Sequence, residues 1–167
     1  MKRLVYLISP GKIYKKFYTD LSLVLASKKV KFFQLRLKKT SNSKIIKIGK
    51  KIKIITKKYD VKLIINDSVK LAKKINADGC HIGQLDGSIS SGRKFLKNKI
   101  IGVTCHNSKK LALIALKNEV EYIAFGSFFK SKLKPIAKKA DIKVLKWSKK
   151  NIKKPVVAIG GITDKNY

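Results

Sequence analysis

Two carboxylates occupy positions at which a metal ion could be held. The chain has only nine acidic residues, and two of them, Asp67 and Asp86, lie just beyond short apolar runs that are typical of strands. Mg²⁺ takes few protein oxygens and completes its shell with water and substrate phosphates, so this pair could bind it. Each residue could equally be a turn residue or a helix cap, and the spacing alone does not separate the two interpretations.

A second group of polar side chains follows the alternation of a strand. Gln34, Arg36 and Lys38 stand at i, i+2 and i+4, so an extended backbone would place all three on one face. An arginine binds a phosphate group bidentately and a lysine binds it as a point charge, which suits a pyrophosphate. An ordinary exposed strand end is the alternative interpretation.

Two glycines near the C-terminus offer a third kind of site. Gly160 and Gly161 separate an apolar run from a potential helix start. Backbone N–H groups in such a turn can bind a phosphate, and barrels commonly place this site after strands seven and eight. A tight strand-to-helix turn also needs glycine, so a purely structural turn is the alternative interpretation.

These residues need a framework that gathers strand ends, and the sequence predicts one. Short β-branched runs alternate with longer amphipathic segments, which is the pattern of a parallel α/β sheet. The predicted strands are residues 3–9, 30–36, 61–66, 79–82, 100–104, 122–125 and 155–160.

Three helices are predicted from apolar spacing. One carries Ile45, Ile48, Ile52 and Ile55 on a single face behind a Ser/Asn cap at 41–43. Another follows Ser108 with Leu111, Ile114 and Ala115, and a third follows Pro135 with Ala140, Val144 and Trp147. Trp147 is expected in the core.

The regular βα units favour a (β/α)₈ TIM barrel over an open doubly wound sheet. Barrels of this type run to about 200 residues or more, and this chain has 167. We therefore expect residues 1–167 to form one barrel domain that is truncated after strand seven and lacks the final strand and helix.

Composition excludes several classes of protein. The 44% hydrophobic content argues against a disordered chain, and the longest apolar runs are far below the roughly 20 residues of a membrane span. No secretory signal is recognised, so we expect a cytoplasmic protein. The two cysteines, Cys80 and Cys105, have no paired spacing and are expected to be buried thiols.

The strong positive charge raises the question of nucleic acid. The chain has 41 Lys and Arg and a formal charge of +32, but only three arginines, and its lysines are spread along every segment. Specific readers of nucleic acid use arginine forks and interleaved aromatics. We expect no specific nucleic-acid partner, although weak binding to polyanions follows from such a field.

Six stretches, taken in order, resemble the thiamine phosphate synthase family over nearly the whole chain. They are QLRLK at 34–38, IIND at 64–67, ADGCHIGQLD at 77–86, IGVTCH at 101–106, FGSFF at 125–129 and VAIGGI at 157–162.

The resemblance implies a Mg²⁺-dependent transferase with two small-molecule substrates. It would join 4-amino-2-methyl-5-hydroxymethylpyrimidine diphosphate to hydroxyethylthiazole phosphate, giving thiamine phosphate and pyrophosphate. In the family the diphosphate leaves before the thiazole nitrogen attacks. A homo-oligomer is compatible with the sequence.

The resemblance also implies roles for particular residues. Arg36, Lys38 and Lys134 would be catalytic through the leaving diphosphate, and Asp67 and Asp86 would carry Mg²⁺. The substrate-binding residues would be Gln34, Asn66, Thr104, Ser131 and Gly161. Thr104 stands where the family usually has serine, and Leu133 stands where it usually has threonine.

The two histidines receive no chemical role, because the attacking nitrogen needs no general base. His81 lies on an apolar strand and is expected to be structural, whereas His106 lies at a strand end and its role is open. Two other functions stay open as well. One is a related barrel of the thiazole tautomerase type, which would not use the Asp67 and Asp86 pair, and the other is a non-catalytic basic barrel fragment that binds polyanions.

Overall fold

The computed structural model describes residues 4–130 and 139–166. Within these ranges strands and helices alternate, and all seven predicted strands are present with small shifts at their ends. The elements are β1 (Val5–Ile8), α1 (Phe17–Ala26), β2 (Val30–Leu35), α2 (Asn42–Lys58), β3 (Lys62–Asn66), α3 (Val69–Ile75), β4 (Gly79–Ile82), α4 (Ile89–Leu96), β5 (Ile100–His106), α5 (Lys109–Lys117), β6 (Tyr122–Gly126), α6 (Ile142–Asn151) and β7 (Val156–Ile159).

The chain divides into two compact units. The first runs to His81 and includes Phe95–Ile100. Its strands pair in parallel, β1 with β2, β2 with β3 and β3 with β4. The register sets Gln34 beside Ile64 and Asn66 beside His81, so the carboxyl ends of β2, β3 and β4 come together at one edge of the sheet.

The core of the first unit comes from apolar positions of these strands and from the buried face of α2. Leu35, Leu63 and Ile65 are at most 2% exposed, and Ile52 of α2 is fully buried. At the amino end of the strands, Asp78 accepts hydrogen bonds from Lys53 Nζ at 2.6 Å and from the Leu63 N–H at 2.7 Å. This carboxylate ties α2 to the starts of β3 and β4.

The second unit comprises Ile82–Lys94 and the chain from Ile101 onward. In it β5 pairs with β6 and β6 with β7, again in parallel. Arg93 on α4 donates through Nη2 to both Glu121 carboxylate oxygens at 2.7 and 2.8 Å and to the Glu119 carbonyl at 2.7 Å. Glu121 also accepts from the Ile101 N–H at 2.6 Å, so one carboxylate joins α4, β5 and the start of β6.

The three predicted helices are present as α2, α5 and α6, but two residues predicted on their apolar faces are not there: Ile114 of α5 is 44% exposed, and Ala140 precedes α6, which begins at Ile142. The cap of α2 differs from expectation, because Ser41 is the N-cap residue but its side chain makes no capping hydrogen bond. Trp147 was expected in the core and is instead half-buried, with Lys109 Nζ lying 5.6 Å from its ring centroid. Such a cation–aromatic contact suits a residue at the surface of α6.

Both cysteines are buried thiols, as predicted. Burial raises the pKa of Cys105 to about 12, which keeps this thiol protonated and unreactive near neutral pH. In the described part of the chain no helix is both long enough and apolar enough to cross a membrane.

Candidate functional site

The first polar contact of the candidate site joins the ends of β2 and β3. Gln34 is only 2% exposed, and its Nε2 donates to Asn66 Oδ1 at 3.1 Å. A buried amide needs a partner, and this pairing fixes both side chains. The structure therefore brings together two of the predicted substrate-binding residues.

Arg36 follows β2 directly, and Ser9 holds its backbone. The Arg36 N–H donates to Ser9 Oγ at 2.9 Å, Ser9 Oγ donates to the Arg36 carbonyl at 3.4 Å, and the Ser9 N–H donates to the Gln34 carbonyl at 2.9 Å. Ser9 is 1% exposed. Sequence reasoning missed this residue, although a polar residue directly after an apolar strand is the same signal that selected Asp67.

Lys38 lies beyond the end of β2, which stops at Leu35, so strand alternation does not position it. An ion pair connects it to the site instead, since Lys38 Nζ lies 2.9 Å from Asp67 Oδ2. Asp67 has a left-handed backbone, with φ of 65°, and its N–H donates to the His81 carbonyl at 2.8 Å. The carboxylate is thus carried on a turn that is tied to β4.

A cavity of about 290 Å³ opens beside Lys38, Asn66 and Asp67. Lys38, Asn66 and Asp67 form a polar part of its wall, and Thr40 and Asn42 add polar groups at the start of α2. Leucine and isoleucine side chains line the rest. A cavity with convergent polar groups on an apolar wall is typical of a small-molecule site.

His81 ends up buried next to this group. Burial lowers its pKa to about 4, and the nearby Asp67 carboxylate opposes the shift without overcoming it. The imidazole is therefore neutral near pH 7. His106, by contrast, is exposed at the end of β5 with a positive φ of 51°.

Two further predicted residues lie in the second unit. Asp86 Oδ2 accepts from the Gly83 N–H at 3.0 Å, which closes the turn after β4. Thr104 lies on β5, and its carbonyl accepts from Gln84 Nε2 at 2.5 Å. Asp86 belongs to this unit and Asp67 to the first. In the described residues no group of three or more His, Cys, Asp or Glu side chains converges.

The glycine turn after β7 packs against the turn after β6. Gly160 and Gly161 have φ of 99° and 65°, and a Cβ on Gly160 would collide with Ser127, while one on Gly161 would collide with the Lys130 carbonyl. The Phe129 N–H donates to the Gly160 carbonyl at 2.9 Å. Both positions therefore require glycine for backbone reasons. The predicted residues Ser131 and Lys134 lie outside the described residues.

Comparison with known proteins gives a consistent result. The family model described as Thiamine monophosphate synthase matches residues 5–167. The thiamine-phosphate synthase of Pelagibacter ubique is 56% identical over 167 residues, which is 99% of this chain and 81% of that protein. The thiamine-phosphate synthase of Erythrobacter litoralis is 38% identical over 97% of this chain and 78% of its own length.

Solved structures agree with the sequence relatives. The thiamine phosphate pyrophosphorylase from Pyrococcus furiosus matches with a TM-score of 0.85 at 28% identity, over 98% of this chain and 77% of that one. A truncated 3-deoxy-D-arabino-heptulosonate 7-phosphate synthase from Thermotoga maritima, 12% identical with a TM-score of 0.64, shares only the fold. The prediction of an α/β fold of the TIM-barrel type is confirmed. Together these matches show that the chain belongs to the thiamine monophosphate synthase family, and thiamine phosphate synthesis is the activity that this membership supports.

Proposed function

We propose that this chain catalyses a Mg²⁺-dependent substitution at the methylene carbon of 4-amino-2-methyl-5-hydroxymethylpyrimidine diphosphate. The bond between that carbon and the diphosphate oxygen breaks, and the electron pair leaves with pyrophosphate. The lone pair of the thiazole nitrogen of hydroxyethylthiazole phosphate then forms the new C–N bond. No proton has to be removed from the nucleophile.

The cytoplasmic location of the protein stays a prediction.

The observation that carries the proposal is the convergence at the ends of β2 and β3. Gln34 and Asn66 form one hydrogen-bonded pair, and Lys38 and Asp67 form an ion pair. Asn66, Lys38 and Asp67 line one cavity. Amide side chains can form hydrogen bonds with the polar edge of a pyrimidine ring, whereas cationic side chains attract the diphosphate of the substrate. One edge of the first unit therefore offers both kinds of recognition that this substrate needs.

Arg36 and Lys38 supply the positive charge for the leaving group. As the carbon–oxygen bond breaks, negative charge accumulates on the diphosphate, and fixed cations stabilise that charge more than the charge of the bound substrate. Ser9 fixes the backbone from which the Arg36 side chain extends. This restraint lowers the reorganisation that Arg36 needs during the reaction.

The donor set fits a hard divalent cation. Asp67 presents a carboxylate with 27% side-chain exposure, and carboxylate oxygen is a ligand that Mg²⁺ prefers. When bound, Mg²⁺ would neutralise charge on the diphosphate and act as a Lewis acid toward it. The role of Asp86 as a second metal ligand stays a prediction.

The second unit would serve the thiazole phosphate. The Gly160 and Gly161 turn presents backbone groups of the kind that bind phosphate, and the Thr104 hydroxyl stands on β5. The roles predicted for Thr104, Gly161, Ser131 and Lys134 rest on the family resemblance.

The direct test is formation of thiamine phosphate from both substrates, with Mg²⁺ and with a chelator. Asp67→Asn should reduce the Mg²⁺-dependent rate by on the order of 100-fold or more, because removing a metal-binding carboxylate removes several kcal/mol of transition-state stabilisation. Asp60→Asn is the matched control, since Asp60 also has a left-handed backbone, with φ of 52°, but precedes β3.

Two results would overturn the proposal. One is an unchanged rate in chelator, and the other is equal activity of the two variants. Conversion of the thiazole substrate alone, with the diphosphate untouched, would favour the tautomerase type of barrel instead.

A further inference from the structure

The ion pair between Lys38 and Asp67 joins one fixed partner and one movable partner. The Asp67 backbone is held by its hydrogen bond to His81, and the Ser68 N–H bonds back to the Asn66 carbonyl at 2.8 Å. Lys38 follows the end of β2, its side chain is 54% exposed, and its ammonium sits on a flexible four-carbon stem. When another group takes the carboxylate, Lys38 is therefore the partner that moves.

We propose that Lys38 and a divalent cation compete for the Asp67 carboxylate, so that metal binding transfers the Lys38 ammonium from the protein to the diphosphate of the substrate. This inference rests on the proposed function and assigns Lys38 two successive partners. It makes Lys38 a coupling residue between the metal and the anion.

The transfer is easy because the ion pair is weak. Lysine–carboxylate pairs near the protein surface change an equilibrium by a factor of only about two to five, whereas a divalent cation brings twice the charge of an ammonium to the same carboxylate. Lys38 also lines the cavity next to Asp67 and Asn66, so the released ammonium stays at the site.

The competition has a thermodynamic consequence. A metal that takes Asp67 frees a cation for the anion, and an anion that draws Lys38 away frees a carboxylate for the metal. Because coupling between two ligands is reciprocal, each ligand strengthens the binding of the other. Neither effect requires a change in the fold.

The test measures metal affinity without any substrate. Mn²⁺ binding is followed by electron paramagnetic resonance in the full chain and in Lys38→Gln, Lys38→Met and Lys39→Gln. Lys39 is the matched control, because it is the exposed neighbour of Lys38 and its substitution removes the same charge.

We expect Lys38→Gln and Lys38→Met to bind Mn²⁺ about two to five times more tightly than Lys39→Gln. The gain should disappear when Asp67→Asn is added to each variant. Inorganic pyrophosphate, with correction for its own binding of metal in solution, should raise the Mn²⁺ affinity of Lys39→Gln more than that of Lys38→Gln.

Equal Mn²⁺ affinity in the Lys38 and Lys39 variants would overturn the inference, as would a gain that survives Asp67→Asn. These outcomes are distinguishable from failure of the proposed function. A chain that forms thiamine phosphate but shows equal affinities contradicts the coupling alone, whereas a chain with the expected affinities and no product contradicts the proposed reaction.

Discussion

Ser9 is a buried hydroxyl whose bonds all go to the backbone of the segment that carries Gln34 and Arg36. Replacing it with alanine removes this partner from the half-buried Arg36 backbone, so the Arg36 side chain is positioned less precisely toward the diphosphate, and a small misplacement of a catalytic group lowers the rate. We expect Ser9→Ala to lower kcat by roughly 10-fold, as expected for a cost of about 1.4 kcal/mol. Ser9→Thr should restore most of it.

The measurement is thiamine phosphate formation at saturating substrate, together with urea unfolding. Ser148→Ala is the control, because Ser148 is also buried and its hydroxyl bonds a carbonyl within α6 at 2.9 Å. A Ser9→Ala enzyme that loses only stability, as Ser148→Ala should, would contradict the positioning role.

His81 gives the protein a specific pH dependence. Its folded-state pKa is about 4 and its usual value is about 6.5, so the unfolded chain binds the proton more readily between these values. The contribution of His81 to the free energy of unfolding is therefore fully present above about pH 6.5 and is lost as the pH drops toward 4. His81 accounts for about 2 kcal/mol of the fall in the free energy of unfolding between pH 7 and pH 5.

Urea unfolding at pH 7 and pH 5 measures this share. His81→Asn should remove it, whereas His106→Asn should keep it, because His106 is exposed. If the unfolding free energy of His81→Asn declines with pH as steeply as that of the unmodified chain, the buried imidazole is not the cause.

At the scale of single elements, the serines at two helix starts differ in whether the side chain makes a capping hydrogen bond. Ser108 Oγ accepts from the Leu111 N–H at 3.2 Å at the start of α5, whereas Ser41 at the start of α2 makes no such bond. Ser108→Ala should lower the free energy of unfolding by about 1 kcal/mol, and Ser41→Ala should change it by much less. Equal losses in urea unfolding would contradict this distinction.

The elements also show what could be predicted from the sequence. The face of α2 was predictable because its isoleucines recur at helical spacing over 17 residues. The strands were predictable because each is a short, mostly apolar run, and most are rich in β-branched residues. The eight-residue helix α4 is too short for the apolar spacing to repeat over several turns, which is the signal that predicts a helix.

The candidate site was predictable only as a set of strand-end residues. Lys38 and Asp67 are 29 positions apart, and nothing in the sequence says that the register of β2 and β3 brings them within 2.9 Å. The partner of Arg36, Ser9, is 27 positions away. Long-range contacts depend on strand register, which a single sequence does not specify.

At the scale of the whole molecule, charge is the dominant feature. With a formal charge of +32, the lysines far outnumber the carboxylates that could pair with them, and one carboxylate, that of Asp60, pairs with both Lys31 and Lys62. The neighbouring lysines, Lys31 first, lower the pKa of Asp60. Most lysines therefore repel one another in the folded state.

The prediction of a single domain stays a prediction.

We expect salt to stabilise this protein. Raising the ionic strength from about 0.01 M to about 1 M shortens the Debye length from about 30 to about 3 Å, which screens the repulsion that destabilises the compact state. The thermal midpoint should rise steadily in potassium chloride. A midpoint that is constant or falls would show that lysine repulsion contributes little.

The left-handed backbone of Asp67 puts stability and function in conflict at this position. The backbone conformation favours glycine, whereas the proposed reaction needs a carboxylate. Glycine adopts that conformation with the least strain, so a library selected for heat resistance should accumulate Asp67→Gly. The same library selected for growth without supplied thiamine should keep aspartate, because glycine offers no carboxylate. Sequencing both populations would show whether residue 67 has been retained at the expense of stability.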